Sequence, residues 1–163
     1  MKDLFLKAQP WIGTLARIIL GGVLFVAGYL KIGSPDKSQM AVRAYEVLPI
    51  SLANPIGLLL PYAEIALGLL LILGVYIKLS AFLGGALMMV FIAAISQAWA
   101  RGLTIDCGCF GGGGQVAANE TKYLSEILRD TGLVLLAIYL FRYPSTRFAV
   151  EKQSVNEIGK NNG

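Results

Sequence analysis

Cys107 and Cys109 are the only cysteines in the 163-residue chain, and a single residue, Gly108, separates them. Two thiols this close point to dithiol–disulfide exchange, in which one sulfur forms a mixed disulfide and the other resolves it. An internal bond needs Cα atoms about 4.4–6.8 Å apart. Residues i and i+2 reach that only where the chain bends, and Gly108, lacking a Cβ, makes the bend cheap. The ring would be small and strained, the kind of exposed disulfide that is labile or catalytic. The rival reading is a fixed bond that pins the loop, but so short a ring removes little entropy from the unfolded chain. Asp106 counts against reactivity, since a negative neighbour raises a thiol's pKa. No metal centre is expected: zinc takes four ligands, mostly Cys and His, and the chain has no His. The glycines at 111–114 form no phosphate-binding loop, because no Gly-Lys-Ser/Thr follows. They would let the loop move or let a partner's backbone approach. Asn119-Glu120-Thr121 matches a glycosylation sequon and is read as ordinary loop.

Arg17, Glu64, Arg129 and Asp130 lie inside apolar runs. Charges in lipid face a bundle interior and pair, or mark a functional pathway. At 1.5 Å per residue, Glu64 lies about 12 Å and Asp130 about 10 Å from the same membrane face. Glu64 and Arg129 are then at matching depth and expected to pair beneath the cysteine loop. Such a polar pocket, built from Glu64, Arg129 and Asp130, would hold a quinone headgroup or relay protons; the alternative is structural glue. Arg17 lies about 9 Å from the opposite end and is expected to snorkel to headgroups.

The elements that must position these groups are four apolar runs, at about 11–30, 56–76, 79–100 and 123–141. Each is near the roughly 20 residues that a bilayer requires. The composition agrees: 56% hydrophobic and 15% charged, with mean hydropathy +0.65, against about 25% charged for a soluble domain. The expected fold is an all-α membrane protein, a bundle of four transmembrane helices over 1–142, followed by a polar cytoplasmic tail over 143–163. The basic start and first run could suggest a signal peptide, but the run ends in Tyr29-Leu30-Lys31 without a small-residue cleavage site, so an uncleaved span is expected. Only Ile77 and Lys78 or so join the second and third spans, an antiparallel hairpin. Ala81 and Gly85 would admit a neighbouring helix. Leu20-Gly21 with Lys31 and Leu67-Gly68 with Lys78 form a weak internal echo. The net charge of +4 comes from basic residues at run ends, where they anchor to headgroups, so nucleic acid is not an expected partner.

Orientation follows from those charges. The termini and second connection carry Lys2, Lys7, Lys78, Arg142, Arg147, Lys152 and Lys160, seven, against five (Lys31, Lys37, Arg43, Arg101, Lys122) in the other connections. The positive-inside rule then puts both termini in the cytoplasm and the cysteines outside the plasma (inner) membrane, where disulfides persist.

Leu15-Ala16-Arg17-Ile18-Ile19-Leu20-Gly21-Gly22, Tyr45-Glu46-Val47-Leu48-Pro49, Pro61-Tyr62-Ala63-Glu64-Ile65-Ala66-Leu67-Gly68, Asp106-Cys107-Gly108-Cys109-Phe110-Gly111 and Leu128-Arg129-Asp130 together resemble the MauE branch of the DoxX-like membrane proteins, over about 11–141. The resemblance implies a four-helix membrane fold associated with thioredoxin-like partners in forming or maintaining disulfides in exported proteins. DoxX-type relatives imply quinone-coupled oxidation or membrane oxidoreductase complexes. By residue match the redox role falls on Cys107 and Cys109, while nothing in the residues points to methylamine metabolism. The expected function is thus a thiol–disulfide oxidoreductase exchanging with an extracytoplasmic thioredoxin-fold partner and passing electrons to a quinone near Glu64 and Arg129. The alternative is a non-enzymatic accessory subunit of a larger membrane complex, such as a respiratory one, with a structural disulfide. A small-solute transporter coupled through Glu64 and Asp130 ranks last, because transporters usually have more spans in repeats.

Overall fold

The computed structural model describes residues 2–144 together with 146, 149 and 150. Among the described residues there are five α-helices: α1 (Lys2–Ile32), α2 (Pro35–Ala44), α3 (Ile50–Leu73), α4 (Ile77–Ala100) and α5 (Tyr123–Arg142). Between α4 and α5 lie two short strands, β1 (Ile105–Asp106) and β2 (Gly114–Gln115), and a 3-10 turn at Ala118–Glu120. Most of the expected polar tail, 143–163, lies outside the described residues.

Among the described residues, three stretches are long and apolar enough to cross a membrane: Ala8–Ile32, Ile50–Leu73 and Ile77–Ala100. The last helix, α5, has 20 residues, about 30 Å at the helical rise, but its first turns carry Glu126, Arg129 and Asp130. Large apolar side chains point outward around the bundle, among them Leu59, Leu79, Val90 and Leu135. Such continuous apolar surface marks a face meant for lipid or protein.

The first connection is not the plain loop that its composition suggests. Pro35 starts α2, where a missing N–H costs nothing and a fixed φ is already helical. α3 begins six residues before the expected span and runs through Pro55 and Pro61. A proline inside a helix removes one i→i−4 hydrogen bond, so Pro61 frees the carbonyl of Gly57. Ser38 Oγ on α2 donates to that carbonyl at 2.6 Å. Interior prolines are tolerated in membrane helices where a neighbour satisfies the freed group, and here the neighbour is α2.

α3 and α4 do form a hairpin about Gly74, yet each packs chiefly elsewhere, α3 on α1 and α4 on α5. The α1–α3 seam is made by small residues. A Cβ on Gly21 would lie 2.9 Å from the Gly68 carbonyl, and one on Gly68 would lie 2.7 Å from that of Gly21. Farther along, a Cβ on Gly28 would lie 2.5 Å from the Pro61 carbonyl. The two Leu-Gly pairs of the echo therefore face each other across the seam. Gly85 of α4 does the same work against Ala137 of α5. Leu20, Leu24, Leu71, Met88, Leu133 and Leu140 fill the centre. A second, smaller core gathers Tyr45, Ile95, Ala98, Ile105, Cys107, Cys109 and Tyr123 at one end.

Candidate functional site

The cysteine loop is a short antiparallel hairpin, with Ile105 opposite Gln115 and Asp106 opposite Gly114. Two tyrosines tie it to the helices. Tyr123, at the start of α5, accepts from the Ile105 N–H at 3.0 Å and donates to the Leu103 carbonyl. Tyr45, following α2, donates to the Cys107 carbonyl at 3.1 Å. Its own carbonyl accepts from Gln97 at 2.9 Å. Outside these, Arg101 pairs with Glu46 at 2.9 Å on the surface.

Gly108 has φ +70°, a conformation that side-chain-bearing residues rarely adopt. A Cβ there would lie 2.5 Å from Ala41 Cβ on α2, and one on Gly113 would lie 2.6 Å from the same atom. The glycines therefore admit the chain's own α2, which closes over the loop, rather than providing freedom to move. Cys107 and Cys109 are free thiols, 8% and 5% exposed, and so are not the exposed pair that the spacing suggests. The Cys109 N–H points at Cys107 Sγ, 3.2 Å away, and the Gly108 N–H donates to Asp106 Oδ1 at 2.9 Å.

The two sulfurs have different surroundings. Cys107 Sγ and one carboxylate oxygen from each of Asp106 and Glu126 lie within 4.8 Å of one another. Three donors fall short of a closed zinc site, and the cluster acts as negative surroundings for Cys107. Its hydrogen bond with Cys109 and its burial push the Cys107 thiol up, helped by the charges of Cys109 and Glu126. Cys109 is held down chiefly by the hydrogen bond from Cys107, with Lys31 and Arg129 adding to this and burial and Asp130 opposing. Burial also pushes the Tyr45 phenol well up, so it stays a donor.

Beneath the loop the ion pairs differ from expectation. Lys31 Nζ, not Arg129, holds Glu64, at 2.6 and 2.8 Å from its two oxygens, and both residues are buried. Side chains lean toward their own helix N-terminus, so on antiparallel helices Lys31 and Glu64 lean toward each other. Lys31 is thus no headgroup anchor. Arg129 instead bonds its neighbour Asp130, at 2.8 and 2.9 Å to Oδ1, and stacks 4.8 Å from the centre of the Phe110 ring. Glu64, Arg129, Asp130 and Cys109 nevertheless line one cavity, of about 10 Å³. That is room for about one water, so the pocket expected for a quinone headgroup has no space for a ring. A larger apolar groove of about 420 Å³ lies between α4 and α5 at the far end, lined by Ala81, Gly85 and Phe141 among others. Arg17 does not snorkel: it is 2% exposed and donates to Thr146 Oγ1 at 3.3 Å.

Sequence reasoning therefore brought together Cys107, Cys109, Glu64, Arg129 and Asp130 at one site but missed Lys31, Tyr45, Tyr123 and Glu126. Glu126 was legible in principle, one helical turn before Asp130 and on its face.

Residues 9–143 match the family described as methylamine utilisation protein MauE. The chain is 37% identical over 138 residues to the methylamine utilization protein MauE of Methylorubrum extorquens, covering 83% of this chain and 71% of that protein. It is 35% identical over 137 residues to the protein of that name from Methylophilus methylotrophus, covering 83% and 70%. To the one from Paracoccus denitrificans it is 36% identical over 107 residues, 64% and 57% of the two chains. No solved structure matches.

Proposed function

The chain belongs to the MauE family, and from that premise we propose that it exchanges dithiol for disulfide with an extracytoplasmic thioredoxin-fold partner through Cys107 and Cys109. The observation that carries the reading is the pair itself, two free thiols on one turn with the Cys109 N–H aimed at Cys107 Sγ. They sit at the bundle end above buried cations. Exchange needs a thiolate and a second sulfur in reach of it; the lowering of the Cys109 thiol and the place of Cys107 two residues before it support the reading.

In this reading α5 is the fourth span, the termini are cytoplasmic and the loop faces outward from the plasma membrane. The face of α5 that carries Asp130, Leu133, Ala137 and Leu140 is buried, which supports a helix held within the bundle despite its charges. The relatives' name speaks of methylamine utilisation. Glu64 and Asp130 are each engaged by a cation and offer no open carboxylate pair to an amine, which supports a part at a disulfide step rather than at the amine. A quinone acceptor, which kinship with DoxX-type proteins suggests, would require the α2–loop cap to lift, since the cavity holds one water. The second reading, an accessory subunit of a larger membrane complex, is favoured by the burial of both thiols in a packed core.

Partner trapping with Cys107→Ser and Cys109→Ser separates the two, together with mass-tag titration of the wild-type thiols across redox potentials. Exchange predicts a mixed disulfide in one variant. The proposal fails if neither variant traps a partner and the pair stays oxidised below about −300 mV, where structural disulfides lie. Copurification of an intact complex, unchanged by removal of both cysteines, supports the subunit reading.

A further inference from the structure

We propose that Cys109 is the thiolate of the pair and that Asp130 takes its proton, the two exchanging it inside the bundle. The inference rests on the reading of the cysteines as an exchange centre.

Three observations meet at this point. Cys109 lines the buried cavity together with Asp130, Arg129 and Glu64, whereas Cys107 does not. Both oxygens of Glu64 are taken by Lys31. On Asp130, by contrast, Arg129 takes Oδ1, while the buried Oδ2 has no hydrogen-bond partner among the described residues. A buried acceptor left unmade is costly, and a proton satisfies it. The cavity is about one water in size, enough to connect sulfur and carboxylate.

Charge decides where the proton goes. Lys31, Arg129, Glu64 and Asp130 sum to zero, and a lone extra charge in so dry a place is expensive. If Cys109 lost its proton to water, the cluster would become negative. If the proton moves to Asp130, the cluster stays neutral, with the thiolate facing Arg129, which lines the same cavity. Around Cys107 the facing groups are Asp106 and Glu126 and the phenol of Tyr45, none of which favours a thiolate. The opposite pKa directions of the two thiols agree with this division.

The exchange then balances. Cys109 gives its proton to Asp130 and attacks one sulfur of the partner's disulfide. That bond breaks, and the departing partner sulfur takes the proton of Cys107. Cys107 attacks the sulfur of Cys109, and the second partner sulfur leaves and takes the proton from Asp130. Two electrons and two protons pass to the partner, and the reverse direction uses the same groups.

Redox-difference infrared spectroscopy of the full chain in lipid nanodiscs tests the assignment without any partner. On reduction of the cysteines, a protonated-carboxyl band is expected to appear, to persist in Glu64→Gln and to vanish in Asp130→Asn. A band lost in Glu64→Gln instead, or S–H bands for both reduced cysteines with no carboxyl band, overturns it. Alkylation against pH gives a second readout that does not depend on Asp130 variants folding. With Asp130 intact, the thiol of Cys107→Ser should titrate well below that of Cys109→Ser, and the reverse order overturns the proposal. Asp130→Asn in the Cys107→Ser chain should leave that midpoint nearly unmoved, because a protonated carboxyl and an amide carry the same charge beside the thiolate; a fall of about 1–3 pH units, the effect of removing an ionised carboxylate, overturns the role of Asp130. Failure here with partner trapping intact removes the proton assignment and leaves the exchange reading standing.

Discussion

Lys31 and Glu64 show how far a single residue's neighbours can redirect its role. Each is buried, and each would be an uncompensated charge without the other, a situation that costs about 3–5 kcal/mol when one partner is removed. Lys31→Met or Glu64→Leu alone should therefore lower unfolding stability in detergent by about that amount, while the double variant should recover most of it. A double-mutant cycle from thermal or denaturant unfolding checks this. The cysteines make a second prediction, for the reduced protein. Cys107 titrates above its ordinary value of 9.0, so past 9.0 the folded chain keeps a proton that the unfolded chain releases, and stability falls by about 1.4 kcal/mol per pH unit for one proton. Cys107→Ser should flatten that falling limb, read from unfolding midpoints across pH.

At the scale of elements, the α1–α3 seam depends on backbone meeting backbone. Gly68→Val would drive a Cβ to 2.7 Å from the Gly21 carbonyl and from the Phe25 nitrogen, atoms that cannot swing aside. It should cost at least the 1–3 kcal/mol typical of overpacking. Gly22→Ala, on α1 beside Gly21 but with nothing within 4 Å, should be neutral or stabilising by helix propensity. Comparing the two by thermal unfolding in detergent separates a seam effect from a general response to losing a glycine. The α2–α3 contact has its own test. Ser38→Ala leaves the Gly57 carbonyl, already abandoned by Pro61, without its donor, and should cost about 1–3 kcal/mol. The echo of Leu-Gly pairs was visible in the chain, but that the two copies face each other was not, because periodicity does not say which helix a face meets.

Taken as a whole molecule, the protein is a pair of helix pairs closed at one end by α2 and the hairpin. Any reagent from solution must pass this cap to reach Cys109, which is 5% exposed. The exposed Arg101–Glu46 pair joins the end of α4 to the stretch after α2. Exposed pairs are worth about 0–1 kcal/mol, so Glu46→Gln should speed Cys109 alkylation by up to about fivefold without changing its pH midpoint. Stopped-flow labelling in nanodiscs would measure this. A reporter fused after Arg142 and a membrane-impermeant thiol reagent applied to intact cells test the four-span topology. A reporter active outside the cytoplasm would remove α5 as a span.

The sequence by itself determined that long apolar helices dominate the chain, that the cysteines share one loop between the last two of them, and that Glu64, Arg129 and Asp130 lie at similar depth. Those properties depend on run length and on the constant rise of a helix, which are local and can be counted along the chain. Only the tertiary structure decided which charges pair, that the glycines receive α2, that the cavity beneath the cysteines has room for about one water, and that the two sulfurs differ. Each of these depends on the rotation and register of one helix against another. Backbone contacts as close as those at Gly21, Gly28 and Gly68 set that geometry, and no single segment contains it. The adjacent thiols with which the chain's chemistry begins are alike in sequence; α1 and α5 bring cations beside Cys109, and the hairpin and α5 bring carboxylates beside Cys107.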